Sequence, residues 1–204
     1  VYDGTEGSMS GTVGLVFISR TGSEGQDKKR DAYTDGTRHY LALFENEKAA
    51  IGISKQNCDK TVVIFVSSAP MELSPLMEGE LEADAVLWYG HPGERGFSEL
   101  GKILTGAINP SGRTEDLFAS DFTADPSFAC FGDFYYSNVS FAHDPLGGPG
   151  RNGVNYRSFV EYREDMYMGY RYYETAAEED ENFVYGTLDG RGGVSEAGAV
   201  AYPF

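Results

Sequence analysis

Three short runs of aliphatic, β-branched and aromatic residues most constrain the fold of this chain. They occupy residues 12–18, 61–66 and 83–89, and little charge interrupts them. Strands with one wet face alternate apolar and polar residues, whereas nearly continuous apolar runs are typical of parallel strands covered on both faces. We therefore predict three parallel strands that are buried on both faces.

Helical patterns separate and follow these runs. Residues 45–56 begin with acidic side chains, which suit the positive end of a helix dipole. We expect one helical turn after Pro75, and residues 97–104 place apolar side chains on one helical face, with Gly106 as the predicted C-cap. This alternation predicts an α/β fold, an open sheet with helices on its faces, whose ligand site lies outside the carboxyl ends of the strands.

The composition fits a single globular domain that spans residues 1–204. Hydrophobic residues make up 41% of the chain and charged residues 24%, which are ordinary globular values. The 32 acidic residues outnumber the 16 basic ones and give a formal net charge of −16. Because this surface repels phosphate backbones and anionic lipids, we expect neither a nucleic acid nor a membrane as partner. A neutral ligand such as a sugar is compatible with the charge.

The termini predict an excised piece of a longer protein. The chain begins at Val1 without an initiator Met or a signal-peptide pattern, and it stops at Phe204 on an apolar, strand-like run. The absence of a targeting pattern favours a cytoplasmic location as the expectation.

No metal or cofactor is expected from the motifs. The two cysteines, Cys58 and Cys130, predict two buried thiols rather than a disulfide framework. No cysteine–histidine cluster has zinc spacing. The carboxylates of Asp27, Asp31 and Asp35 lack the compact spacing of a calcium loop, so they are expected to be solvated.

Two glycine-bearing loops, residues 19–27 and 90–96, follow the first and third predicted strands. Glu24 lies in the first loop. Its side chain either projects into a cleft, where its carboxyl acts as a general acid or base, or is exposed to solvent on the loop without a catalytic role. His91, at the end of the third strand, is a second candidate for the site, whereas Trp88 within that strand is expected in the core.

The first loop also allows a nucleotide site. Serine and threonine hydroxyls and backbone N–H groups in residues 19–23 resemble a phosphate-cradling turn. The chain has neither a G-x-G-x-x-G nor a Walker A pattern, however, and Glu24 would repel a phosphate. A flavodoxin-like nucleotide binder therefore stays a minor alternative.

The C-terminal half is rich in aromatic, Gly, Pro and Asn residues. We interpret residues 109–160 as long loops over the domain. The five tyrosines in residues 162–173 either stack on sugar rings or, at the near-alternating spacing of Tyr170 and Tyr172, pack in a strand and the core. The second interpretation is favoured.

Several segments together resemble the α/β-sandwich domain of glycoside hydrolase family 3, the family of β-glucosidases and β-xylosidases. The resemblance covers residues 12–204. Its motifs are VFISRTGSEGQD, TVVIFVSSAPMEL, ADAVLWYGHPGERGFSELGKILTGAINPSGR, FASDFTADPSF, YREDMYMGYRYYE and AVAYPF. Two segments depart from the usual motifs. The order Gly22-Ser23 replaces the commoner Ser-Gly, and the tyrosine-rich signature has Asp165, Met166 and Met168 in place of the usual Gly, Ile and Val.

The resemblance implies a three-layer α/β/α sandwich with a mostly parallel, six-stranded sheet. It also implies a partner, since members of the family place the active site between this domain and a (β/α)8 barrel that carries the nucleophilic aspartate. The acid/base glutamate of many members comes from the S-G-E-G loop, and the matching residue here is Glu24. Arg20, Asp27 and His91 are expected to line the cleft and bind substrate.

The expected function is thus a catalytic half-domain of a retaining, β-glucosidase-like glycoside hydrolase that needs no cofactor. Its substrate would be a small glycoside or an oligosaccharide, and the isolated chain is expected to be inactive. The alternatives are a non-catalytic carbohydrate-binding domain and, less favoured, the nucleotide binder.

Overall fold

The computed structural model describes most of the chain, and the fold is built on these residues. The described residues are 9–22, 39–112, 114, 116–119, 121–130, 134–141, 155–181, 183 and 201–202. No helix among them is long and apolar enough to cross a membrane.

The three predicted strands form one parallel sheet in the order β1-β2-β3. Strand β1 is Met9–Ser19, β2 is Cys58–Val66 and β3 is Ala85–Trp88. The register pairs Val16 with Val63 and Phe65 with Trp88. All three strands therefore end at one edge of the sheet, as the sequence predicts for a ligand site.

The predicted helices are also present. Helix α1 is Glu45–Asn57, the single turn α2 is Ser74–Met77, and α3 is Gly93–Leu104, which begins before the predicted residue 97. The core lies between α1, α2 and one face of the sheet. Its buried residues are Ile18, Leu43, Ile51, Val63, Phe65, Met71 and Leu76.

Gly14 lets α1 lie close against β1. A methyl group at this position would fall 1.9 Å from the hydroxyl oxygen of Ser54, far inside van der Waals contact. That hydroxyl is fixed because it shares a buried hydrogen bond of 2.8 Å with Thr61 Oγ1. The close helix–sheet contact therefore depends on the missing side chain.

The prediction that both faces of each strand are covered is correct for β2 and wrong for β1 and β3 within the described residues, since no residue of β3 is fully buried. Val63, Ile64 and Phe65 are fully buried in β2. In β1 the residues that face away from α1 are 43–55% exposed. These are Val13, Leu15 and Phe17, which we call the open face of β1. The described helices cover the other face, where Ile18 packs into the core.

The C-terminal half adds short antiparallel pairs rather than further strands of the parallel sheet. Strand β4 (Phe118–Ala119) pairs with β7 (Ala201–Tyr202), and β5 (Tyr135–Phe141) pairs with β6 (Asn155–Ser158). The described residues thus contain an α/β fold with a small parallel sheet of three strands. Part of the region predicted as long loops, residues 109–160, forms these strands.

The strand interpretation of the tyrosine-rich segment is wrong. Helix α4, Tyr170–Glu179, begins within it. The core interpretation is correct for Tyr173, which is buried, and wrong for Tyr162, Tyr167 and Tyr170, which are 43–72% exposed. The Tyr173 hydroxyl donates to Asp125 Oδ2 at 3.2 Å. Burial, together with the negative charge of Asp125, raises the pKa of Tyr173 far above its ordinary value. The near-alternating spacing of tyrosines led to the wrong prediction of a strand, because Tyr170 and Tyr173, three positions apart, also lie on one face of a helix.

Trp88 also departs from its predicted place in the core. Its side chain is 37% exposed, its indole N–H donates to the Ser67 carbonyl oxygen at 2.7 Å, and its ring contacts Phe118 edge-on. The polar N–H explains this position, because tryptophan at a strand end can bury its ring while its nitrogen reaches a carbonyl.

Candidate functional site at the carboxyl edge of the sheet

The candidate site is the edge at which the three parallel strands end. Its described parts are residues 20–22 after β1, residues 67–73 after β2 and residues 89–92 after β3. The turn after β2 is held by Ser67, whose hydroxyl donates to the Ala69 carbonyl oxygen and accepts from the Ala69 N–H. Ligand sites of open α/β sheets lie at this edge.

Arg20 is a buried anchor at this edge. Its guanidinium binds both carboxylate oxygens of Glu47, at 2.5 and 2.7 Å. It also donates to the carbonyl oxygens of Ser19, Tyr40 and Ala42, at 3.0, 2.7 and 2.9 Å. These contacts use all five N–H donors of an arginine.

The sequence predicts that Arg20 lines a substrate cleft, and the contacts give it a different role. The side chain is 3% exposed and lies 4.1 Å from the centre of the Phe44 ring. With every donor bound to a protein acceptor, it has none left for a sugar hydroxyl. Arg20 therefore holds the end of β1 to the start of α1.

His39 and Glu72 form a second buried pair at the edge. His39 Nδ1 accepts from the N–H of Leu41 at 3.2 Å, so the ring proton is on Nε2, which donates to Glu72 Oε1 at 2.7 Å. The same carboxylate oxygen accepts the N–H of Phe122 at 3.0 Å. The pair thus joins the residues before α1, the loop after β2 and the segment at Phe122.

Sequence reasoning missed this pair, since it treats the three histidines as scattered. One signal was present: Glu72 is the single charged residue in the apolar segment 61–73. A carboxylate in such a segment is buried at a cost unless a donor binds it. The sequence does not reveal that the donor is His39, because the partner lies 33 positions away.

The remaining predicted site residues are distributed as follows. His91 is exposed, just after Gly90, whose φ of +62° turns the chain at the end of β3. Glu24 and Asp27 lie outside the described residues. The predicted roles of Glu24, Asp27 and His91 in substrate binding and catalysis therefore stay predictions.

Two cavities lie near the sheet. A cavity of 590 Å³ runs beside β3 and is lined by apolar side chains, with Trp88 and Phe118 among them and with Glu82 and Asp84 at its acidic part. A smaller cavity of 230 Å³ lies between Pro70, at the carboxyl edge, and the start of α4. In the part of the chain that the structure describes, no cluster of His, Cys, Asp or Glu could hold a metal ion.

Both cysteines are free thiols, as expected, but the prediction that both are buried is correct only for Cys130, because Cys58 is half-buried. Cys130 is buried and its thiol donates to Glu164 Oε2 at 3.0 Å, which lowers the pKa of that carboxyl. The thiol sulfur also accepts the N–H of Arg163 at 3.3 Å. This contact fastens the tyrosine-rich segment to the turn Pro126–Cys130.

Replacing Cys130 by alanine tests this contact through pH. A carboxyl whose pKa is lowered on folding stabilises the fold above its unfolded pKa of 4.5, and the contribution disappears as the pH falls through the lowered folded value. We expect C130A to lower the thermal unfolding midpoint at pH 7, and the difference from the parent to shrink below pH 4.5. The control is Cys58→Ala, whose difference should not change over this range. A constant difference for C130A would contradict the assignment.

A comparison with known protein families shows to which family the chain belongs. The profile described as the glycosyl hydrolase family 3 C-terminal domain matches residues 8–170. The chain belongs to this family. The resemblance that the sequence motifs carry is thereby confirmed.

Individual relatives align with most of this chain. A probable β-glucosidase A of Aspergillus terreus is 28% identical over 166 residues, which cover 80% of this chain and 18% of that protein. β-Glucosidase A of Butyrivibrio fibrisolvens is 25% identical over 191 residues, which cover 84% of this chain and 20% of that protein. The chain thus spans about a fifth of the length of these family 3 relatives.

A solved structure shares the fold. β-Glucosidase 3B from Thermotoga neapolitana, solved in complex with glucose, aligns with a TM-score of 0.57 and 26% sequence identity. The alignment covers 81% of this chain and 20% of that chain. The parallel sheet described above is accordingly that of a family 3 C-terminal domain.

Proposed function

We propose that this domain supplies the general acid/base of a retaining, β-glucosidase-like glycoside hydrolase. The observation that carries the proposal is the family match over residues 8–170, combined with the place of Glu24 in the sequence, five residues after Ser19, the last residue of β1. The relatives named above are β-glucosidases, and the Thermotoga protein is solved with glucose.

Glu24 is the proposed proton donor and acceptor. In a retaining mechanism one carboxylate attacks the anomeric carbon, while the other protonates the leaving oxygen and then deprotonates the attacking water, with the two carboxyls about 5–5.5 Å apart. We propose that the nucleophile lies on a (β/α)8 barrel outside these 204 residues. Docking of that domain would desolvate Glu24 and add a nearby negative charge, both of which raise a carboxyl pKa and favour the protonated acid.

The proposed substrate contacts are those of the carboxyl edge. His91 is exposed at the end of β3, where its ring can reach a sugar hydroxyl, and Asp27 follows Glu24 in the same loop of the sequence. Arg20 does not contact the substrate in this proposal, but its ion pair with Glu47 holds the end of β1 against α1. No cofactor enters this proposal.

We also propose that the intact domain contains the six-stranded, three-layer sandwich of the family. The open face of β1 supports this, because the apolar side chains of parallel strands are normally covered on both faces of the sheet. Strand β1 has a single neighbour in the described sheet, which leaves its other edge for a further strand.

The first test is turnover by the chain alone. We expect the purified 204-residue chain to release no aryl alcohol from an aryl β-glucoside, whereas the full-length protein hydrolyses it, because half of the catalytic pair is missing from the chain. The measurement is product release over hours at high protein concentration. Turnover by the chain that survives further purification would contradict the half-site.

A carbohydrate-binding module without catalysis is the second candidate function. The cavity of 590 Å³ favours it, because Trp88 and Phe118 give its wall aromatic surface. Calorimetry of the chain against a panel of oligosaccharides separates the two. A module binds one of them in isolation, whereas a half-site binds none measurably.

A further inference from the structure

The segment that carries Glu24, residues 23–38, connects two stretches of chain that side chains hold together. We define the loop base as residues 20–22 before the segment and residues 39–42 after it. The contacts described below join the side chains and carbonyl groups of these two stretches.

The first contacts run directly across the loop base. The Tyr40 hydroxyl donates to the carbonyl oxygen of Thr21. In the same place Arg20 donates to the carbonyl oxygens of Tyr40 and Ala42, at 2.7 and 2.9 Å. The residues that enter and leave the segment are therefore side by side.

The loop base is also fixed to the sheet and to α1. The N–H of Arg20 donates to the Val66 carbonyl oxygen of β2 at 3.2 Å. Its guanidinium binds Glu47 on the first turn of α1. Residues 20–22 of the loop base are therefore attached to β2 and to α1 through Arg20.

The far side is fixed by the His39–Glu72 pair. His39, the first described residue after the segment, donates to Glu72 in the loop after β2. Its ring also contacts Phe122 edge-on and Phe128 in a tilted arrangement, with centroid distances of 5.8 and 6.3 Å. Both side chains are buried, at 4% and 5% exposure, so water competes little for the bond.

We propose that Tyr40 and the His39–Glu72 pair are positioning residues for the acid–base step, because they close the loop base on which the placement of Glu24 depends. The inference rests on the proposed function of Glu24. Proton transfer needs a donor–acceptor distance of about 2.6–3.2 Å, and a displacement of about 1 Å at a reacting group costs on the order of 100-fold in rate. Holding the two ends of a loop together also reduces the number of conformations that the residues between them can adopt.

The test uses Tyr40→Phe in the full-length protein, since this change removes one hydroxyl and keeps the ring. We expect kcat for an aryl β-glucoside with a poor leaving group to fall about tenfold. For a dinitrophenyl glycoside, whose departure needs no proton, the glycosylation rate should stay within about twofold of the parent. The matched control is Thr105→Val, which removes a hydroxyl bound to the Gly101 carbonyl oxygen at 2.8 Å at the end of α3, outside the candidate site. It should leave both rates unchanged.

Glu72 gives a second, independent test. Glu72→Ala removes the acceptor of both His39 and the Phe122 N–H, and should show the same selective loss. Glu72→Gln keeps an oxygen that can accept these bonds, so it should restore at least half of the lost rate. The unfolding midpoint of each variant is measured beside its kinetics.

The outcomes separate this inference from the function on which it rests. Glu24→Ala, measured in parallel, must show leaving-group selectivity, or the proposed acid role itself fails. If Glu24→Ala is selective while Tyr40→Phe and Glu72→Ala lower both rates equally, or behave like Thr105→Val, the positioning role is overturned and the acid role stands.

Discussion

Replacing Glu24 by alanine in the full-length protein is expected to slow hydrolysis of glycosides with poor leaving groups by about 10²–10⁴-fold, the usual contribution of a general acid. Cleavage of a dinitrophenyl glycoside should proceed to the glycosyl-enzyme at nearly the parent rate, because that leaving group departs without a proton. The later attack by water then becomes slow, since the base is also lost. The measurement is kcat/KM across a series of aryl glycosides of rising leaving-group pKa.

Azide provides the second readout of this variant. Azide is a nucleophile that needs no base, so it should restore turnover of Glu24→Ala on activated substrates and give a glycosyl azide with retained configuration. Glu24→Gln, which keeps the shape of the side chain but cannot exchange a proton, is the matched variant and should behave in the same way. Equal losses across the leaving-group series, without azide rescue, would rule out the acid/base role of Glu24.

Replacing Glu47 by alanine is expected to be the most damaging substitution for stability among the contacts described. Arg20 would keep a buried positive charge, at 3% exposure, without its carboxylate partner. Breaking a buried pair in this way costs about 3–5 kcal/mol. The measurement is the free energy of unfolding of the chain from urea denaturation.

The control for this prediction lies two residues earlier on the same helix turn. Glu45 is paired with Lys48, but both side chains are exposed, and surface pairs contribute about 0–1 kcal/mol. Glu45→Ala should therefore lower the unfolding free energy by at most about 1 kcal/mol. Similar losses for the two variants would show that the Arg20 pair is no more important to the fold than a surface pair.

The sequence predicts the parallel sheet well because its signal is local. Apolar runs of β-branched residues form β1, β2 and β3, and the acidic start of α1 matches its first turn at Glu45 and Glu47. The family resemblance, carried by the motifs from residue 12 onward, was likewise recognisable from the sequence and is confirmed by the family match. Secondary-structure propensity and sequence motifs depend on residues that are close together in the sequence, so both can be recognised without the structure.

Contacts between distant residues were not predictable in the same way. Arg20 follows a strand, next to the loop of Glu24, and the sequence predicts a substrate contact for it. The structure instead pairs it with Glu47, 27 positions along the chain. His39 and Glu72 are likewise joined only by the fold. Charged residues near a site look alike in sequence, whether they bind a ligand or hold the loops that do.

The open face of β1 has a practical consequence for handling this domain away from its enzyme. Val13, Leu15 and Phe17 are exposed beside an unpaired strand edge of the described sheet. An exposed, apolar edge strand offers a template on which a second chain can add its own strand. Such polypeptides will tend to self-associate at high concentration, so titrations of the isolated chain should be checked by light scattering for particle size.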